Sequence, residues 1–195
     1  MAQLSTLGII HTLMKTKSLT PIILAVFFAI SPLSASADSF HDIAIQARAK
    51  YAAAQESWQR GLAELVTRTD TNFQEIATIQ RDLQLAYIEQ STARFRYLLK
   101  HDSQRIILTN GVSKFANFEW SDKDTKALTD SDPKYVQLQK RILELETKND
   151  KEPDWPKIRV WFRDTLSKSG DYKTLLSAFQ AQQKAVEDLL GGYKP

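Results

Sequence analysis

Gln90 and Gln183 stand where two otherwise apolar helical stripes call for leucine. A buried amide at such a place must find hydrogen-bond partners. The two can pair with each other across a bundle, point at a small ligand inside it, or lie exposed on a frayed seam. A polar seam residue also lowers stability and can fix register or partner. Both are therefore candidates for ligand or partner contact.

Three other stretches carry residue types that recognise molecules. In "ARFRYLLKHDSQR", Arg94, His101 and Arg105 fall on one helical face with Leu98 between them, an arrangement suited to an anion or an acidic partner. The macrodipole gives a plainer reading, because it favours cations in the C-terminal half of any helix. In "PDWPKIRVWFRD", Trp155 and Trp161 accompany Arg159 and Arg163. A carbohydrate or peptide platform would need those tryptophans exposed. The i,i+4 spacing puts the two arginines on one face and leaves Trp161 and Phe162 for a core. Trp155, between two prolines, is the least secure as core. In "VSKFANFEW", Phe115, Phe118 and Trp120 lie within six residues. Val112, Phe115 and Phe118 recur at i,i+3,i+6, which predicts a plug closing the end of a helical hairpin in preference to a binding platform.

The inventory argues against several chemistries. With no cysteine there is no disulfide, thiol nucleophile, lipobox or c-type haem attachment. His41 and His101 have no His or Glu at i+3 or i+4, so no metal site is expected. Ser-centred catalytic patterns are missing, and "SKSG" at 167–170 reads as a helix terminus. Glu64, Glu75, Glu89, Glu119 and Glu187 exist, but nothing distinguishes a pair for acid–base work. No catalytic residue and no cofactor is implied.

The N-terminus supplies an address. Lys15 and Lys17, the apolar run "PIILAVFFAISPL" and the small-x-small triplet Ala35-Ser36-Ala37 have the form of a secretory signal cleaved before Asp38. A restart at Met14 gives a more compact leader. Of 26 Lys and Arg, two lie in the leader, leaving 24 against 23 Asp and Glu, a formal +1. A near-neutral chain is a poor candidate for nucleic-acid binding. Export without cysteines or glycosylation sequons fits a bacterial periplasm, with secretion the rival. Contact with membrane is expected only through the leader before cleavage.

The elements that must position these residues are helices. Residues 38–195 are expected to form one all-α domain. Ser39 caps a helix to about Thr67 with the stripe Phe40, Ala44, Ala47, Tyr51, Ala54, Trp58, Leu62 and Leu65, close to a coiled-coil seam. Thr71 and Gln74 have capping-box spacing and open a second helix with the seam Ile76, Ile79, Leu83, Ala86, Gln90, Ala93 and Tyr97. That helix is expected to run through "RIILT" to a C-cap at Asn110-Gly111, with a strand hairpin over 106–120 as the rival. Together they predict a long antiparallel helical hairpin over 39–109. An aromatic connector at 110–120 follows, then three or four shorter helices over 121–190, one of them stopping at Gly170.

The function expected is non-enzymatic: an exported helical bundle acting through protein contacts in the cell envelope, a homodimer being compatible. The rival is a small-ligand carrier or sensor with a pocket inside the bundle. An unrecognised all-α enzyme comes third.

Overall fold

Apolar residues at helical spacing dominate this chain, and the computed structural model, which describes residues 40–193, is built of helices. The leader and the Ser39 cap lie outside the described residues. Helix α1 spans Phe40–Thr69 and α2 spans Gln74–His101. A single turn, α3, covers Gly111–Ala116. Then come α4 (Asp122–Ser131), α5 (Pro133–Lys151), α6 (Trp155–Asp164) and α7 (Gly170–Gly191). No strand occurs among the described residues. The fold is an all-α bundle on a long antiparallel hairpin. α1 packs on α2 and α7, and α2 packs on α5, giving the order α7–α1–α2–α5.

Local chemistry explains the joints. Between the long helices the cap is Asp70, whose carboxylate accepts from Asn72 N, and a 3₁₀ turn over Thr71–Phe73 precedes α2. The expected Thr71–Gln74 capping box does not form, because Thr71 already lies inside that turn. Phe73, buried at 8% exposure, anchors the corner. Ser121 and Asp124 make a reciprocal capping box for α4. Asp132 caps α5, with Pro133 at its first position. Gly170 opens α7 instead of ending its predecessor: α6 stops at Asp164, a 3₁₀ turn follows, and Ser169 caps α7 by accepting from Tyr172 N.

A second correction concerns residues 102–110. The expectation of helix through "RIILT" fails, and the rival hairpin fails with it. α2 ends at His101, where Asp102 leaves helical backbone. Ile106 and Leu108 are then both buried while Ile107 is 42% exposed. That period-two burial requires extended chain, since a helix would turn these side chains to different sides. Asn110 and Gly111 take the left-handed conformation, with φ of 69° and 84°, and so redirect the chain into α3 instead of capping α2.

The core lies in three clusters. One, at the open end of the hairpin, gathers Ala44, Ala47, Phe95, Leu98, Ile106, Leu108, Val112, Phe115, Val186 and Leu190 among others. A second, at the corner, centres on Phe73, Ile76 and Leu166. The third joins Leu83 and Ala86 of α2 to Leu138 and Ile142 of α5. In the second half of α1, Gly61 lets α7 approach: a Cβ there would lie 2.7 Å from Leu175 Cδ1.

Tyrosines tie the layers and make the fold sensitive to alkali. Tyr87 donates to Glu146 across the α2–α5 contact. Burial first, and then the Glu146 hydrogen bond, raise the Tyr87 phenol above its ordinary value of 10.0. Burial also raises Tyr51 and Tyr172. The folded state thus keeps protons that the unfolded chain releases, so this stability is complete below the ordinary phenol range and is lost as pH climbs above it. Urea midpoints should fall above about pH 10, and Tyr87→Phe should lessen that slope. An identical slope in the variant would assign the effect to other groups.

Candidate functional site

The basic stretch at the end of α2 divides between structure and surface. Arg94 Nε donates to the hydroxyl of Tyr135 at 2.9 Å, and its guanidinium lies 5.3 Å from the Trp120 ring centroid. Tyr135 is 1% exposed. Trp120 in turn donates its Nε1–H to Thr125 Oγ1 at 2.8 Å and meets Tyr97 edge-on. Arg94 therefore organises the junction of α2, α4 and α5. Arg105 does not share its face, because the helix has already ended. It reaches Asp124 at 3.0 Å and donates to the Glu119 carbonyl at 2.6 Å, stapling the connector to the start of α4. That leaves Arg96, Lys100 and His101 exposed along an open groove of about 510 Å³ between α2 and α4. Tyr97 and Leu128 add apolar surface to it, and Asp132 at its edge is engaged in capping Lys134 N. Neither Arg96 nor Lys100 has an ion-pair partner among the described residues.

The other candidates do not converge. Trp155 is half-buried and donates to the Asn149 carbonyl at 2.8 Å, with Arg159 stacked 5.6 Å from its ring centroid. Arg163 turns to its neighbour Asp164 with two hydrogen bonds of 2.8 and 2.9 Å. Phe73 and Trp161 stack at 5.1 Å, which commits Trp161 to the corner. Gln90 on α2 and Gln183 on α7 are both half-buried and make no hydrogen bond to each other. Neither lines the groove or the 380 Å³ cleft between α1 and α7 beside Gly61, Arg68 and Asp171. Leucine at either position should leave stability within about 1 kcal/mol of the parent, or raise it. A larger loss in thermal denaturation would place these amides in a satisfied network. Phe115 is fully buried against Phe95, with ring centroids 5.5 Å apart, while Phe118 and Trp120 are half-buried.

The residue that periodicity did not mark is Arg48. It is 3% exposed, and its Nε and Nη1 are shielded from solvent with no hydrogen-bond partner. Its guanidinium carbon lies 5.6 Å from the ring centroid of Tyr51, 5.5 Å from that of Phe95 and 5.8 Å from that of Phe118. Burial pushes Arg48 down to about 10, so it remains a cation at neutral pH. Arg96 nearby adds repulsion. An isolated buried ion costs several kcal/mol. Ring faces return about 2 kcal/mol each at best. The one signal in the sequence is position: Arg48 follows Ala44 by four residues and precedes Tyr51 by three, so it borders the apolar stripe of α1.

Among the described residues no group of three or more His, Cys, Asp or Glu could hold a metal ion, and no helix is long and apolar enough to cross a membrane. No family model, curated protein or solved structure matches the chain.

Proposed function

We propose that this chain is an exported, non-enzymatic helical protein that works by holding a protein partner in the cell envelope, with the groove between α2 and α4 as its contact surface. The observation that carries the reading is the unpaired basic lining of that groove, Arg96, Lys100 and His101, beside the apolar Tyr97 and Leu128. Such a mixture suits a polypeptide bearing acidic and apolar side chains, since charge steers the encounter and apolar contact retains it. The signal-like N-terminus supports the periplasmic setting.

The test is affinity capture from a periplasmic extract with the wild type and with the double variant Arg96→Glu, Lys100→Glu. Both positions are exposed, so the variant should fold. A partner held by the wild type and lost by the variant is the expected result. A partner retained equally by both would move the contact surface elsewhere. N-terminal sequencing of the same material should begin at Asp38, and an intact leader would overturn the export reading.

A further inference from the structure

Five arginines nearer the surface have acidic partners, whereas Arg96 and Arg159 lie exposed to water without one among the described residues. Arg68 meets Asp171, Arg81 meets Asp82, Arg105 meets Asp124, Arg141 meets Glu89 and Arg163 meets Asp164. The buried arginine, where pairing matters most, has none: Nε and Nη1 of Arg48 face neither an acceptor nor water. Those two nitrogens carry three of the five guanidinium N–H bonds. Around them stand three aromatic rings, each with its centroid within 5.8 Å of the guanidinium carbon.

We propose that Arg48 is the receiving group of a ligand site, in which a small monocarboxylate sets its anionic end on the guanidinium and its apolar body against Tyr51 and Phe95, in the space that Phe118 fills in this structure. A carboxylate matches the planar fork of N–H donors, and its hydrogen bonds are charge-assisted. One charge is the right number, because a phosphate dianion would carry a second into a ring-lined site built around a single cation. The rings then serve the rest of the ligand, as apolar walls do in small-molecule sites. Tyr51 and Phe95 are fixed on the two long helices, whereas Phe118 sits in the non-helical stretch between α3 and α4. Phe118 is therefore the wall that yields: it occupies the space beside Arg48 here, and a ligand replaces it. This site goes beyond the protein-contact reading and does not rest on it.

Sodium benzoate is the probe, with benzyl alcohol as its neutral counterpart. At a benzoate concentration a hundredfold above its Kd, the wild-type melting temperature should rise by about 5–10 °C. Benzyl alcohol should leave it unchanged. Phe118→Ala, which vacates the space, should respond at lower benzoate concentration than the wild type. Arg48→Met should not respond, and Arg48→Lys, a second variant should the first not fold, should respond weakly because it lacks the fork. In the wild type, the Arg48 Nε–H resonance should shift on addition of benzoate but not of benzyl alcohol. The proposal is overturned if neither the wild type nor Phe118→Ala responds to benzoate, or if Arg48→Met responds as the wild type does.

Discussion

Phe115→Ala is expected to lower the melting temperature by on the order of 10 °C. Phe115 is fully buried on the single-turn helix α3, and its ring meets Phe95 edge-on. Truncating a core phenylalanine costs about 3–5 kcal/mol, and a domain of this size loses roughly 2–4 °C per kcal/mol. The placement makes the loss hard to repair. Phe95 and Leu98 of α2 lie beneath, Ile106 and Leu108 of the extended segment beside, and Val186 and Leu190 of α7 belong to the same cluster. The far ends of α1 and α2 are packed together around Phe73, and the surroundings of a core truncation relax only in part. Phe118→Ala, at a half-buried position, should cost less. Differential scanning calorimetry on both variants gives the ranking, and equal midpoints for Phe115→Ala and wild type would mean that this end of the bundle contributes nothing to stability.

That cluster also shows what the sequence could and could not disclose. The i,i+3,i+6 spacing of Val112, Phe115 and Phe118 is helical, and α3 buries Val112 and Phe115, but it ends at Ala116, so Phe118 lies beyond it and is only half-buried. The segment just before α3 was misread for a physical reason. "RIILT" is a continuous apolar run, and such a run is compatible with helix, strand or extended coil until tertiary burial selects one. Here the selection came from Ile106 and Leu108 sharing one wall of the core, a long-range fact. Caps made by residues close together in the chain can be read from residue type and spacing alone, as those at Ser121–Asp124 and Asp132–Pro133 can. At the corner Asp70 is the cap and Thr71 is not, because Thr71 already lies inside the 3₁₀ turn over Thr71–Phe73. Arg48 borders the apolar stripe of α1, and the periodicity of apolar residues carries no signal for an arginine beside it. Its environment is made by Phe95 and Phe118, 47 and 70 residues further along the chain.

Trp58→Ala should be as damaging as the loss of Phe115, and by a different route. Trp58 is 4% exposed on α1, with ring centroids 5.1 Å from Phe179 and 6.0 Å from Tyr172, both on α7. It lies between the open-end cluster and the corner cluster, close to where Gly61 admits Leu175. α7 belongs to the fold chiefly through α1, since it is the outer helix in the order α7–α1–α2–α5. Removing the indole takes away the largest side chain at the middle of that contact, at a cost of about 3–5 kcal/mol. The damage should therefore be uneven. Amides of α7 should exchange with solvent well before those of α2, whose contacts to α5 through Leu83, Ala86, Leu138 and Ile142 are untouched. A double-mutant cycle with Phe179→Ala should return about 0.5–1.5 kcal/mol of coupling for the ring pair, read from urea denaturation. Zero coupling would mean that the rings share area without interacting. Uniform acceleration of exchange across α2 and α7 would mean that the four layers melt as one unit and that α7 has no separate hold on the bundle.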